Sequence, residues 1–181
     1  MLRSFLNGRV TVLVGDITQQ DVDAIVNAAN SSLMGGGGVD GAIHRAGGEA
    51  ILEACIALRQ SDWPDGLPAG KAVITTGGDL QARHVIHTVG PIYGRTGRDA
   101  ELLADCYRNS LALAAEQGLA TLAFPAISTG VYGYPREEAA VVASSALEEE
   151  LARRPQIHHV RLVFFLAEDA EVFLAHQRFQ E

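Results

Sequence analysis

Lysine is nearly missing from this chain, with Lys71 the only one. Lysine and arginine together number 14 against 22 aspartates and glutamates, a formal net charge of -8. General nucleic-acid binders gain affinity by neutralising phosphates with basic side chains, so this balance argues against them. Any phosphate the chain holds must be met by neutral donors, above all backbone N–H groups. Cysteine is scarce as well: Cys55 and Cys106 fall in helix-like patterns, far from any CxxC or Cys/His cluster that could clasp a metal. Two reduced, packed thiols and no metal site are expected. No run approaches the roughly 18 to 20 apolar residues of a membrane span, and MLRSFLNGRV lacks a signal peptide's apolar centre and cleavage site. A cytoplasmic protein with no membrane partner is expected. Repeats, linkers and low-complexity tracts are also absent. The 181 residues, 48% hydrophobic, suffice for one buried core, so a single domain over 1–181, acting as a monomer, is expected. Arginine-heavy, lysine-poor usage fits a GC-rich bacterial genome.

What is present alternates between two periods. VTVLV (Val10 to Val14), Ala24 to Val26, AVITT (Ala72 to Thr76), HVIHTV (His84 to Val89), Leu119 to Pro125 and HVRLVFFL (His159 to Leu166) have the β-branched, apolar character of buried strands. The second of these stops at Asn27. Val39 to Ala46, Glu49 to Gln60, Asp99 to Gln117, Arg136 to Arg153 and Glu168 to Arg178 have helical spacing. Strands alternating with helices imply an α/β fold with a central mixed or largely parallel sheet covered on both faces.

In such sheets ligands sit beyond the carboxyl ends of the strands, so the loops there carry the functional signal. GGGGVDGAIH, Gly35 to His44, runs four glycines straight into a helix start. Each glycine costs roughly 0.5 to 1 kcal/mol relative to alanine in regular structure, and close approach of a ligand to bare backbone is a reason to bear that. Successive N–H groups can converge on phosphate oxygens there, helped by the positive end of the helix. No Gly-Lys-Ser/Thr follows, so this is not a Walker loop. It follows NAANSSLM rather than a strand, so it is not the dinucleotide fingerprint. A second cradle is offered by AISTGVYGYP, Ala126 to Pro135, where Ser128, Thr129 and Gly130 can donate backbone and hydroxyl hydrogen bonds. Tyr132 offers a flat face to a sugar or base.

Asn27 and Asn30, in NAAN, suit the orientation of sugar hydroxyls, although asparagine also caps turns for structural reasons. Asp40 and His44, four apart, share one helix face next to the glycines; the alternative is a cap and a packed histidine.

Together these stretches resemble the macrodomain proteins, specifically the MacroD-type ADP-ribosyl hydrolases and O-acetyl-ADP-ribose deacetylases. The resemblance runs through GDITQQDVDAIVNAANSSLMGGGGVDGAIHRAGG (Gly15 to Gly48), VIHTVGP (Val85 to Pro91) and FPAISTGVYGYP (Phe124 to Pro135), in order along the whole chain. It implies a three-layer sandwich whose mixed sheet of about six strands lies between helices, with ADP-ribose extended across the crest. It places Asp16 and the Ile17 backbone at adenine, and Phe165 against its ring, with Phe164 and Leu166 the alternatives. Gly36, Gly37, Gly38 and Val39 form one diphosphate loop. Ser128, Thr129, Gly130, Val131 and Tyr132 form the other. Asn30 and Asp40 fall beside the distal ribose, supported by Asn27 and His44. The chain lacks the zinc ligands and the adjacent glutamate pair of other hydrolase branches, so the implied chemistry is metal-free and uses no cofactor.

The implied reaction is attack of water on an ester joining ADP-ribose to an acidic protein side chain or to acetate, with Asp40 orienting or deprotonating the water and Asn30 fixing the ribose hydroxyls. A phosphate oxygen of the substrate could share the proton. The implied partners are ADP-ribose, ADP-ribosylated proteins and O-acetyl-ADP-ribose. A non-catalytic ADP-ribose reader would use the same two loops. A single-stranded RNA binder stacking bases on Tyr132 and Phe165 is disfavoured by the acidic charge.

Overall fold

The structure, a computed structural model, describes residues 2–180. Seven strands form one sheet: β1 (Leu2–Phe5), β2 (Val10–Val14), β3 (Ala24–Ala29), β4 (Ala72–Thr76), β5 (His84–Val89), β6 (Thr121–Phe124) and β7 (His159–Phe164). Their spatial order is β1-β2-β7-β6-β3-β5-β4. The inner five run parallel, and the edge strands β1 and β4 pair antiparallel. The sheet is mixed, as expected, but has one strand more than the expected six.

The additional strand is β1. Three of its four residues are exposed, so its apolar pattern is too thin to read as a strand. Its signal was the turn that follows: Leu6 and Asn7 both have positive φ (53° and 56°), and the Gly8 N–H donates to the Phe5 carbonyl at 3.1 Å. With Gly8 also at positive φ (85°), this left-handed turn brings β1 back onto β2, Phe5 pairing with Val10.

Five helices cover the sheet: α1 (Gly38–Gly47), α2 (Glu49–Gln60), α3 (Asp99–Glu116), α4 (Arg136–Arg153) and α5 (Ala167–His176). They lie close to the expected spans, with end differences of one or two residues. Alternation along each strand sorts the core into two layers. Ile25, Val85 and Val89 face α1 and α2, packing with Ile43, Ile51 and Cys55. Val26, Ile86, Leu122, Phe124 and Leu162 face the other way, packing with Leu103, Leu111, Leu147 and Phe173 of α3, α4 and α5. The result is a three-layer α/β sandwich. Among the described residues no helix is long and apolar enough to cross a membrane.

One boundary matters for function. β3 does not stop at Asn27 but continues to Ala29, and Asn27 sits fully buried opposite His87 in the parallel β3–β5 register. A polar residue ends an apolar run in the sequence without ending the strand, because a partner awaits it in the neighbouring strand.

Candidate active site

The carboxyl ends of the parallel strands open into a cleft of about 940 Å³. That is at the upper end of the range for small-molecule sites and fits an extended ligand. Its floor is made by Ala28, Ala29 and Asn30 after β3, Gly90 after β5, and Val163 and Phe164 at the end of β7. One rim is Asp16, Ile17 and the start of α1; the other is the loop from Pro125 to Tyr132 after β6.

On the first rim, Gly37 caps α1 through its backbone alone, and the first intrahelical bond runs from the Gly41 N–H to the Gly37 carbonyl at 3.2 Å. The N–H groups of the helix's first turn therefore lack helical partners where Gly37, Gly38 and Val39 line the cleft. Gly41 allows this packing: a Cβ there would run into the Gly36 carbonyl. Gly36 is bare for a different reason. A Cβ on it would lie 3.2 Å from Asp40 Oδ2 and 3.3 Å from Asn30 Nδ2, so the glycine keeps open the space where those two polar atoms approach.

On the second rim, Ser128 is held at φ 66°, a conformation that side chains other than glycine seldom adopt. Its hydroxyl donates to the Pro91 carbonyl at 2.8 Å, and its own carbonyl accepts from the Tyr134 N–H at 2.9 Å. The hydroxyl proton is thus committed within the fold, and Ser128 can donate to a ligand only through its backbone N–H. Thr129, Gly130, Val131 and Tyr132 line the cleft, with Val131 fully exposed at the tip of a turn closed by Gly133 N–H to the Gly130 carbonyl at 3.0 Å.

At the end of the cleft formed by β2 and β7, the Asp16 carboxylate caps a short 3-10 turn (Ile17–Gln19), accepting at Oδ1 from the Thr18 N–H (2.9 Å) and hydroxyl (2.7 Å). Phe165 is 81% exposed, whereas Phe164 is buried with its ring 5.3 Å from that of Phe173. Phe164, Phe165 and Leu166 all line the cleft, but only Phe165 presents most of an aromatic ring to it.

The four residues expected beside the distal ribose divide into wall and support. Asn30 lines the cleft; its Nδ2 donates to the Gly35 carbonyl at 3.0 Å and its Oδ1 accepts from the Ser32 N–H at 3.0 Å. Asp40 is 5% exposed, on the face of α1 turned toward the sheet. Its Oδ1 accepts from Asn27 Nδ2 at 2.7 Å and lies 3.4 Å from His44 Nε2. Asn27 also reaches His87 Nδ1 at 3.1 Å, while its own Oδ1 is buried without a partner. Burial, then the nearby His44, pushes the His87 imidazole pKa down to about 3, so the ring stays neutral.

The thiols are less isolated than the sequence suggests. Cys55 lies 3.8 Å from His87 Nε2, and ligand atoms of His44, Cys55 and His87 fall within 4.8 Å of one another, a trio that three separate elements assemble. His87 spends both nitrogens on hydrogen bonds, Nδ1 to Asn27 and Nε2 to Thr75 Oγ1 at 2.9 Å. Burial also raises the Cys55 thiol to about 11, which favours the protonated form over the thiolate a metal needs. The trio is therefore a hydrogen-bonded support rather than a ready metal centre.

The residues the sequence reading passed over are Arg45 and His87. Among the described residues, Arg45 is the only cation lining the cleft, on the same side of α1 as Gly38 and Ala42. His87 stands in VIHTVGP, a histidine in an otherwise apolar strand, and that oddity was its signal.

Known proteins match this arrangement. A family model described as the Macro domain matches residues 26–143. An O-acetyl-ADP-ribose deacetylase of Cronobacter sakazakii is 55% identical over 175 residues, covering 96% of this chain and 94% of that protein. A macro domain-containing protein of Cupriavidus necator is 58% identical over 164 residues, covering 90% and 93%. Among solved structures, the Oceanobacillus iheyensis macrodomain with ADP superposes with a TM-score of 0.92 at 43% identity, covering 97% of this chain and 93% of that one. The Trypanosoma brucei macrodomain in complex with ADP-ribose gives 0.83 at 36% identity, covering 92% and 68%. With a family model over more than half its length and relatives of this similarity, the chain belongs to the Macro domain family.

Proposed function

We propose that this chain, a single macro domain over 1–181, binds ADP-ribose along the cleft and hydrolyses esters carried on its distal ribose. Its substrates are O-acetyl-ADP-ribose, losing acetate, and proteins mono-ADP-ribosylated on acidic side chains. Support comes from relatives named for the deacetylase activity and from neighbours solved with ADP or ADP-ribose. The observation that carries the reading is the approach of Asp40 Oδ2 and Asn30 Nδ2 to a bare Gly36, directly behind the cleft wall that Asn30, Gly37 and Gly38 form.

In this reading Asp16, Ile17 and Phe165 take the adenine. The backbone of Gly36 to Val39 and of Ser128 to Tyr132 takes the diphosphate, and Asn30 fixes the ribose hydroxyls. Water attacks the ester carbonyl carbon, and the bond from that carbon to the ribose oxygen breaks. The ribose oxygen leaves with a proton, and the acid is released. Asp40 Oδ1 is occupied by Asn27, so Oδ2 is the oxygen left to orient the water or take its proton. A phosphate oxygen of the bound substrate is the other acceptor within the same complex. Rate comes chiefly from positioning.

One observation favours a second reading, a non-catalytic ADP-ribose reader: Asp40 is only 5% exposed. Incubation with O-acetyl-ADP-ribose and with mono-ADP-ribosylated protein, followed by mass measurement, separates the two. Release of acetate and of free ADP-ribose supports hydrolysis. ADP-ribose binding without either product refutes hydrolysis and leaves the reader.

A further inference from the structure

We infer that His87, buried in β5 and remote from the open cleft, is a positioning residue that sets the orientation of the Asn27 amide and, through it, of the Asp40 carboxylate. The inference rests on the hydrolase reading for its kinetic consequence and on hydrogen-bond geometry alone for its structural one.

The direction of every proton in this buried chain follows from its neighbours. The Thr75 hydroxyl donates to the Thr76 carbonyl at 3.0 Å, so toward His87 it can only accept. His87 Nε2, 2.9 Å away, must therefore carry the ring proton. With burial keeping the ring neutral, Nδ1 is left with a lone pair, and it accepts from Asn27 Nδ2 at 3.1 Å. The second proton of that amide goes to Asp40 Oδ1 at 2.7 Å. Turning the amide over would set its carbonyl against both the carboxylate and the imidazole lone pair. Oδ1 has no partner where it is, so the two acceptors facing Nδ2 alone decide the orientation of the amide. Two acceptors thus lock Asn27, and His87 is the one that the reaction does not need for itself. Cys55, 3.8 Å from Nε2, closes the pocket from α2. Without the imidazole acceptor, the Asp40 carboxylate alone orients the amide, and the donor facing that carboxylate is held less firmly.

Two experiments test this. In the wild-type protein, the ring nitrogens of 15N-labelled His87 should report a neutral Nε2–H tautomer from about pH 5 to 8. An Nδ1–H or titrating ring overturns the inference, whether or not the protein proves to be a hydrolase and whether or not any variant folds. In kinetics, His87→Phe keeps the ring shape without the acceptor and should lower kcat about tenfold or more, with KM and ADP-ribose affinity within about threefold. His87→Asn places an oxygen near the Nδ1 position and should recover kcat to within about threefold of wild type. Unchanged kcat in the phenylalanine variant overturns the inference. So does a loss that asparagine fails to restore at equal thermal stability. A wild-type protein inactive on every ADP-ribose ester overturns the hydrolase reading instead, and the tautomer result stands apart from it.

Discussion

Replacing Asp40 by alanine and by asparagine asks the structure which of its oxygens matters. Asp40→Ala removes the acceptor for a fully buried Asn27 N–H, which costs about 1 to 3 kcal/mol. Loss of an acid from the first turn of α1 adds about 0.3 to 1 kcal/mol. The sum, about 1.3 to 4 kcal/mol, is below the roughly 5 to 15 kcal/mol of a typical domain, so the variant should fold with Tm lowered by about 3 to 16 °C. Asp40→Asn can turn its carbonyl to Asn27 and keep that bond in neutral form, so its Tm should fall by less. Turnover should respond differently. If Oδ2 takes or holds the proton of the attacking water, both variants lose about 10² to 10⁴ in kcat. ADP-ribose affinity should stay within about tenfold, or 1.4 kcal/mol, because the proposed phosphate donors are backbone groups that neither change removes. The assay is steady-state release of acetate from O-acetyl-ADP-ribose beside calorimetric binding of ADP-ribose. Wild-type turnover in Asp40→Ala refutes any role for the carboxylate. Turnover within about threefold of wild type in Asp40→Asn alone refutes proton transfer and leaves the carboxylate as an anchor for Asn27.

Gly41→Ala sets two effects against each other: helix propensity favours alanine by about 0.8 to 1 kcal/mol, but the new Cβ would strike the Gly36 carbonyl, so the phosphate loop should shift and ADP-ribose affinity fall about tenfold, measured by calorimetry. Phe165→Ala should leave Tm within about 1 °C, because the ring is 81% exposed. It should weaken ADP-ribose by about 1 to 3 kcal/mol if the ring stacks on adenine; unchanged affinity moves that role elsewhere. His87 gives a pH signature of fixed sign. Its folded pKa of about 3 lies below the ordinary 6.5, so the unfolded chain binds the extra proton in between. Its contribution to stability is complete above about pH 6.5 and is lost as pH falls toward 3, at up to about 1.4 kcal/mol per unit. Urea unfolding of wild type minus His87→Asn at pH 7, 6 and 5 should show the difference, and parallel curves would contradict it.

Much of the fold was legible because period and composition agree along most of the chain. Val10 to Val14, Ala72 to Thr76 and His84 to Val89 are strands over the expected residues, and Glu49 to Gln60 and Arg136 to Arg153 are helices over theirs. β1 was not legible, because an edge strand with one buried side chain leaves almost no pattern, and only the Asn-Gly corner marks it. At the site, the two glycine-containing loops stood out from composition alone, since a glycine run that opens a helix has few structural uses, and residues of both line the cleft. The buried support was not. Thr75, His87 and Cys55 come from three elements far apart in sequence, and their polarity is informative only once β3 and β5 are known to pair in a register that sets Asn27 against His87.

The acidic charge and the glycine run turn out to answer the same question. At 3.6 residues per turn, α1 sends Gly38, Ala42 and Arg45 to one side and Asp40, Ile43 and His44 to the other. The cleft side is nearly bare, so what it shows an anion is the unpaired N–H groups of its first turn and one guanidinium. The sheet side hides the carboxylate from that anion and ties it to Asn27. A single helix can thus hold a diphosphate and an acid within a few residues of each other without placing both on one surface. Under the hydrolase reading, Gly36 matters to that separation, because a Cβ there would press on both Asp40 Oδ2 (3.2 Å) and Asn30 Nδ2 (3.3 Å). In the proposed reading the glycine run therefore has two uses that the sequence presents as one: Gly37 and Gly38 offer backbone donors to the cleft, and Gly36 leaves room beside Asp40 Oδ2 and Asn30 Nδ2.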